Sequence, residues 1–162
     1  MFQVGQYVMY ANEGVCRITA IGPLPQGQEG RIYYTMEKQF HSETIYTPID
    51  TPQPIRNLMT RQEAEMLLSR IRQFRSPEAV PRDQKLAQAD YRRALYSQDP
   101  EALLDLIRRI YRKNEGVHKP YSQLDERYFR IARELLHGEL AAVFGTTPDE
   151  AEVMITLAAR QE

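Results

Sequence analysis

The sequence predicts an α+β protein in which a small, strongly bent antiparallel β-sheet is followed by an all-helical region. Three observations favour this class. Residues 2–49 are rich in Val, Ile, Tyr and Thr and are punctuated by glycine, which is typical of short strands. From residue 60 onward, apolar residues recur at helical spacing. Helix start signals also recur through that second part. With 162 residues, the chain is long enough for one or two small domains.

Four strands are predicted in the first part of the chain. In residues 2–10, Phe2 and Val4 share one strand face and Val8 and Tyr10 another, although Val4, Tyr7 and Val8 also fit a helical stripe. The β-branched and aromatic content favours a strand, with a bend or bulge at Gly5. Gly14 closes a turn into the second strand, because glycine tolerates a positive φ. The other three predicted strands cover residues 15–21, 31–38 and 44–47.

The second part of the chain carries a series of helix start and stop signals. A capping box formed by Thr60 and Glu63 starts one helix, and two prolines at 77 and 81 interrupt the pattern after it. We expect the last helix to bury Val153, Leu157 and either Met154 or Ile155. Four further helices are predicted. One runs from Asp83 to Tyr96, a second starts at Asp99–Pro100, a third starts at Ser122 and ends at Gly145, and the last starts at Thr147–Pro148.

These patterns divide the chain into three segments. Residues 1–59 form the β domain, residues 60–81 a connecting helix and linker, and residues 82–162 a helical domain. A sheet of about fifty residues is marginally stable alone, so we expect it to depend on the helical region for stability.

Composition excludes several classes of function. The formal net charge is -1, with 21 Lys and Arg against 22 Asp and Glu, whereas an independent nucleic-acid-binding protein is usually strongly basic. Any DNA contact therefore comes from a local patch and is weak, or is carried by a partner. No apolar run approaches the roughly 18 residues that a membrane-spanning helix needs, and the start lacks the features of a signal peptide. We therefore expect a cytoplasmic protein without membrane contact.

Catalytic and cofactor motifs are missing from the sequence. The single cysteine, Cys16, cannot form an internal disulfide, and the three histidines have no metal-ligand spacing. The sequence contains no phosphate-binding loop, no dinucleotide fingerprint and no nucleophile elbow. We therefore expect no enzyme activity, no metal, no cofactor and no small-molecule substrate.

The most localised charge signal is a run of cations on one predicted helix. Arg108, Arg109, Arg112 and Lys113 lie at steps of three and four, which makes them neighbours on a helix surface, and Lys119 comes shortly after. One interpretation is a phosphate-binding patch that acts through counterion release. The other is a solvated face that complements the negative end of the helix dipole. The same ambiguity applies to three further arginines that either extend this patch or pair with neighbouring acids: Arg92, Arg93 and Arg127.

A cluster of tyrosines marks a second candidate surface, on the sheet. Tyr33 and Tyr34 are adjacent in a strand and therefore face opposite ways, so that one of them points away from the core. Tyr46 lies in the short strand 44–47, which is our candidate for an unpaired sheet edge. An exposed tyrosine beside such an edge is typical of a protein-recognition surface.

The motifs also occur in a recognisable order. They are F-x-V-G-x-x-V-x-Y at 2–10, N-x-G-V-C at 12–16, Y-Y-T at 33–35, I-Y-T-P-I-D at 45–50, T-x-x-E-A-E at 60–65 and D-E-R-Y-F-x-x-A-x-x-L-L-x-G-E-L-A at 125–141. Over nearly the whole chain, this ordered set resembles the CarD/CdnL-type bacterial transcriptional regulators.

The resemblance implies a fold and a function. In that family a Tudor-like N-terminal domain binds the β subunit of bacterial RNA polymerase, and a related module occurs in the transcription-repair coupling factor. The helical domain contacts promoter DNA near the upstream edge of the bubble, and together the two domains act on the open complex. The polymerase-binding residues implied here are Tyr34, Ile45, Tyr46 and Thr47. The implied DNA-binding residues are Arg92, Arg93, Arg108, Arg109, Arg112, Lys113, Lys119 and Arg127.

The sequence departs from the family pattern at two places. Family members carry a tryptophan early in the helical domain as a minor-groove wedge, whereas this chain has no tryptophan and offers Val80 or Leu86 in that region. Some relatives also carry a basic residue at the position of Tyr46. Two hypotheses remain open: a polymerase-tethered regulator with a weak DNA contact, and an adaptor on RNA polymerase whose helical domain binds another protein.

Overall fold

A computed structural model describes residues 1–73, 79–115 and 120–160. The chain divides into two compact units, Met1–Leu58 and Met59–Glu162. The first unit contains an antiparallel sheet and the second contains helices, so the predicted α+β class is confirmed.

One five-stranded sheet makes up the first unit. The strands lie in the order β4-β3-β2-β1-β5, and every neighbouring pair is antiparallel. The predicted strand 44–47 therefore lies at an edge of the sheet, as expected. The strands are β1 (Tyr7–Tyr10), β2 (Gly14–Gly22), β3 (Tyr33–Lys38), β4 (Thr44–Pro48) and β5 (Ile55–Asn57).

The sheet differs from the predicted four strands in two respects. A fifth strand, β5, pairs with β1. The first strand begins only at Tyr7, because the chain turns at Gly5, where φ is +90°. The expected bend at Gly5 and the positive φ at Gly14, which is +86°, are both confirmed.

A bend closes the sheet over its own core. The register between β2 and β3 shifts between Ile18 and Ala20, which is the signature of a β-bulge that sharpens local twist. The core on the inner face contains seven buried residues, with Phe2, Ile21, Ile45 and Ile55 packed against it: Val8, Tyr10, Ala11, Cys16, Ile18, Tyr34 and Met36. Cys16 is a small core residue, and burial raises the pKa of its thiol to about 12.

The second unit contains five described helices. The capping box of Thr60 and Glu63 is present, and Asp83, Asp99 and Ser122 cap the helices that they were predicted to start. Gly145 ends the long helix in the left-handed conformation, as predicted. The helices are α1 (Arg61–Arg70), α2 (Gln84–Tyr96), α3 (Pro100–Asn114), α4 (Gln123–Phe144) and α5 (Pro148–Arg160).

The prediction for the buried face of α5 was wrong at two positions. Val153 and Leu157 are 56% and 57% exposed, whereas Ala151 is buried and Met154 and Ile155 are half-buried. Helix α5 packs against α4 and α1 through the side that carries Ala151, so the opposite side faces outward. Periodicity shows that a helix has an apolar stripe but does not say which of two stripes meets a neighbour.

Across the three described ranges, no helix combines the length and the apolarity that crossing a membrane requires.

Candidate interaction surfaces

The hydrogen-bond pattern between β3 and β4 shows which backbone groups of β4 lie at the free edge. The amide of Lys38 donates to the Glu43 carbonyl at 3.0 Å, and the amide of Ile49 donates to the Ile32 carbonyl at 3.1 Å. In an antiparallel pair, hydrogen-bonded and non-hydrogen-bonded residues alternate. Ile45 and Thr47 therefore direct their amides and carbonyls toward β3.

It follows that Thr44 and Tyr46 direct their backbone N–H and C=O groups away from β3. Because β4 is the last strand of the sheet, no strand from the described part of the chain lies beside these groups. At Pro48 the edge offers no donor to a pairing strand, because proline has no backbone N–H. The free edge of β4 thus offers the donors and acceptors of Thr44 and Tyr46.

The predicted polymerase-binding residues fall on opposite faces of the sheet. Tyr46 is 51% exposed on the outer face. Thr47 and Tyr34 are buried, and Ile45 packs against the core. Alternation along β3 and β4 accounts for this division. Tyr46 is the most exposed side chain of the set, and Ile45 is half-buried.

The buried members of the set hold the edge strand in place. The hydroxyl of Tyr10 donates to Thr47 Oγ1 at 3.0 Å, and the hydroxyl of Tyr34 accepts from the amide of Phe2 at 3.2 Å. Tyr34 also packs edge-on against the ring of Phe2, with centroids 6.1 Å apart. These contacts fix β4 and β3 from the core side and keep the edge groups in a set position.

In the helical unit, the predicted cationic patch separates into buried and exposed members. Arg109 is only 6% exposed, and its Nη1 donates to Asp90 Oδ2 at 2.7 Å. Its Nε lies 3.3 Å from Asp105 Oδ2, one turn earlier on α3. Arg109 therefore joins α3 to α2 and is not positioned to reach phosphate.

Two other members of the patch also make contacts inside the unit. The guanidinium of Arg108 donates to the backbone carbonyl of Ile71. The ammonium of Lys113 lies 3.2 Å from Asp125 Oδ2 and 3.3 Å from its Oδ1. These two side chains therefore have partners within the protein in addition to their contact with solvent.

Asp125 is the centre of a buried polar network that joins three helices. Its carboxylate accepts from the hydroxyl of Tyr91 in α2 at 2.7 Å and from the side-chain amide of Asn114 in α3 at 3.3 Å. The carboxylate also forms an ion pair with the ammonium of Lys113. The Ser122 hydroxyl accepts a hydrogen bond from the backbone amide of Asp125. Burial alone raises a carboxyl pKa, but the hydrogen bonds from Tyr91, Asn114 and Lys113 outweigh it and lower the pKa of Asp125.

The four remaining predicted cations that lie within the described residues are exposed. Arg92 and Arg93 lie on α2, Arg112 on the last turn of α3, and Arg127 near the start of α4. The guanidinium of Arg127 lies 5.9 Å from the ring centre of Tyr128. Lys119 lies outside the described residues.

Helix packing brings several exposed side chains to one end of the unit. The bond between Arg109 and Asp90 joins α2 and α3, and a connection of three residues is typical of two helices that run in opposite directions. One turn before Asp90 lies Leu86, which is 62% exposed, and one turn after Arg109 lies Arg112. The Asp125 network adds the start of α4, with Arg127. We refer to Leu86, Arg112, Lys113 and Arg127 as the basic end.

Sequence reasoning missed the acids that partner the cations. Asp90, Asp105 and Asp125 carry no charge pattern that separates them from exposed acids such as Glu126. One available signal was the spacing of Asp105 and Arg109, which is that of a helical i, i+4 ion pair. The partners on other helices depend on tertiary packing.

No group of three or more His, Cys, Asp or Glu side chains within residues 1–73, 79–115 and 120–160 is arranged to hold a metal ion. Burial lowers the pKa of His137, which lines an open groove of about 430 Å³ between α4 and α5 together with Phe129 and Pro148.

Comparison with known proteins bears on the first unit. A protein-family model described as the CarD-like/TRCF RID domain matches residues 2–59, which contain the whole sheet. None of the curated proteins compared with the chain gives a match. The family is one of non-enzymatic interaction domains. The N-terminal unit of this chain is therefore a CarD-like/TRCF RID domain, an RNA-polymerase-interacting domain of a transcription-related protein.

Proposed function

We propose that the protein is a transcriptional regulator that binds the β subunit of bacterial RNA polymerase through strand β4. We further propose that its helical unit contacts promoter DNA near the upstream edge of the bubble and modulates the stability of the open complex. The observation that carries the proposal is the free edge of β4, in a domain of the polymerase-interacting family, with Tyr46 exposed beside it.

The edge of β4 supports recognition by strand addition. An extended segment of the polymerase can pair with the free N–H and C=O groups of Thr44 and Tyr46. The backbone hydrogen bonds of this pairing supply affinity and need no charged side chains. The exposed ring of Tyr46 adds apolar contact, as tyrosine commonly does at interfaces. Ile45, Thr47 and Tyr34 contribute indirectly, by holding the strand against the core.

The basic end supports a weak DNA contact. Arg112 and Arg127 are exposed there, and Arg92 and Arg93 lie farther along α2. Four cations bind duplex DNA weakly and without sequence preference, because phosphate contacts carry no sequence information. Attachment to the polymerase raises the local concentration of this surface at the promoter, so a weak contact is sufficient.

The lifetime of promoter open complexes formed with the full chain tests the proposed DNA contact, which we call the DNA half of the proposal; the polymerase contact is its polymerase half. The double variant Arg112→Glu/Arg127→Glu is compared with Arg160→Glu, which reverses an exposed charge on α5. We expect the double variant to bind polymerase normally but to lose its effect on the lifetime, whereas Arg160→Glu behaves as the unmodified protein. Loss of polymerase binding by the double variant, or an unchanged effect on the lifetime, would contradict this half of the proposal.

A second candidate function is an adaptor whose helical unit binds another protein. The exposed pair Val153 and Leu157 on α5 favours it, because two apolar side chains one turn apart suit a protein contact better than a DNA contact. The double variant Val153→Ser/Leu157→Ser discriminates between the two. An adaptor loses its effect on transcription with this variant, whereas the DNA-contacting regulator retains it.

A further inference from the structure

Lys113 is placed differently from its neighbour Arg112 although both lie in the last turn of α3. The ammonium of Lys113 lies 3.2 Å from Asp125 Oδ2, and the side chain of Asp125 is 2% exposed. Both cations are exposed on the surface of the helix, but within the described residues no acid forms an ion pair with Arg112. The two cations therefore differ in how freely they can meet a phosphate.

The carboxylate of Asp125 is fixed in its position and in its charge. Tyr91 donates to Oδ1 at 2.7 Å from α2, and Asn114 donates to Oδ2 at 3.3 Å from α3. Asn114 is itself held by a second bond to the Ile110 carbonyl at 2.9 Å. A carboxylate that accepts several hydrogen bonds remains ionised at neutral pH, and the lowered pKa of Asp125 agrees with this.

We infer that Asp125 is an affinity-limiting residue of the basic end: its buried negative charge neutralises Lys113 and withholds that cation from DNA phosphates. The inference rests on the proposed DNA contact and adds the residue that sets its strength.

The physical reason is the position of the buried charge. If Lys113 moved out to a phosphate, it would leave Asp125 buried with one fewer partner and without its counter-charge, which is strongly unfavourable. Lys113 therefore remains with Asp125 when DNA binds. A cation that is already neutralised by the protein releases no counterion from DNA, so it contributes nothing to the salt dependence of binding.

The experiment measures the affinity of the full chain for a duplex DNA of arbitrary sequence, from about 50 mM to about 200 mM salt. Asp125→Asn removes the charge and keeps the size of the side chain. Asp125→Asn/Lys113→Met removes both charges and restores the net charge of the unmodified protein. Tyr91→Phe is the matched control, because it removes one hydrogen bond to Asp125 without changing any charge. Circular dichroism establishes that each variant is folded.

We expect Asp125→Asn to bind more tightly at low salt. Its slope of log affinity against log salt should steepen by about 0.9, which increases the loss of affinity across the salt range about 3.5-fold. The double variant and Tyr91→Phe should keep the slope of the unmodified protein. Because the double variant leaves no unpaired charge at the network, it tests the inference even if Asp125→Asn does not fold.

Three results would overturn the inference. If folded Asp125→Asn binds as the unmodified protein does, or more weakly, Asp125 does not limit affinity and the proposed DNA contact stands. If the double variant loses about 0.9 of the slope, Lys113 itself contacts phosphate. If no form of the protein binds the duplex, the inference and the DNA half of the proposed function fail together, whereas the polymerase half is unaffected.

Discussion

The hydroxyl of Tyr10 in β1 donates a hydrogen bond of 3.0 Å to Oγ1 of Thr47 in β4, although β2 and β3 lie between these strands. In a flat sheet, β1 and β4 are separated by about 14 Å, which is three strand spacings. The bond therefore requires the sheet to be strongly bent, with the edge strand folded over toward β1. It connects the candidate polymerase-binding strand directly to the core.

This bond gives the first prediction. Tyr10→Phe leaves the buried Thr47 hydroxyl without a partner, so we expect a loss of about 1 to 2 kcal/mol in the free energy of unfolding. Thr47→Val leaves the Tyr10 hydroxyl unpaired and should cost a similar amount. Urea denaturation of the single and double variants checks this. A double variant whose loss equals the full sum of the two single losses would show that the two groups do not interact.

The second prediction separates Arg109 from Arg112. Arg109→Met leaves Asp90 and Asp105 without their counter-charge, and we expect the free energy of unfolding to fall by about 2 to 3 kcal/mol. This is less than the loss for a fully buried ion pair, because both acids are partly exposed to solvent. Arg112→Met, at an exposed position, should change stability by less than about 0.5 kcal/mol. Thermal and urea denaturation measure both. Equal losses for the two variants would contradict the structural role of Arg109.

The third prediction concerns acid stability. The pKa of Asp125 in the folded protein is below its unfolded value, so the folded state binds the proton less readily. The stabilisation by Asp125 is therefore fully present above the unfolded pKa, about 3.9, and is lost as pH falls through the folded pKa.

Unfolding free energies measured between about pH 2 and about pH 6 test this sign. We expect the unmodified protein to be more stable than Asp125→Asn at pH 6, and the difference between them to shrink below about pH 4. A difference that stays constant across the range would show that the carboxylate is not held in its charged form.

The fourth prediction concerns Leu86, the exposed apolar side chain of the basic end. A wedge at a base step needs a large apolar group, and leucine is smaller than the tryptophan of the related regulators. We expect Leu86→Trp to lengthen the lifetime of promoter open complexes and Leu86→Ala to shorten it, with polymerase binding unchanged. Equal lifetimes for all three proteins would show that Leu86 does not reach the DNA.

Local signals predicted the element boundaries well. The capping box at Thr60, the caps at Asp83 and Asp99, and the left-handed Gly145 each depend on a few neighbouring residues, and each lies where the sequence indicates. Strand β5 was missed because it has only three residues and comes directly after Pro54, which offers no alternating pattern. Its existence depends on pairing with β1.

The candidate surfaces were less predictable because burial is decided between elements. Alternation already indicates that Tyr46 faces opposite to Ile45 and Thr47, but it does not say which face is the core. Spacing places Arg109 beside Arg112 on a helix, yet only the packing of α2 against α3 buries the first and exposes the second. The partner of Lys113, Asp125, lies on another helix, where no local pattern points to it.

The central claim is that the free edge of β4 binds the polymerase, and a titration of the full chain against an isolated fragment of the polymerase β subunit tests it most directly. Tyr46→Ala removes the exposed ring. Thr44→Pro removes a backbone N–H at the free edge, and this N–H makes no hydrogen bond to β3. Tyr7→Ala, at an exposed tyrosine of the interior strand β1, is the control for the first variant, and Thr44→Val is the control for the second.

We predict that the unmodified protein binds the fragment and that both controls bind as tightly. Tyr46→Ala and Thr44→Pro should each weaken binding at least about tenfold, which corresponds to about 1.4 kcal/mol of binding free energy. Binding that is unchanged in Tyr46→Ala and in Thr44→Pro, with both proteins folded, would contradict the assignment of β4 as the polymerase-binding strand.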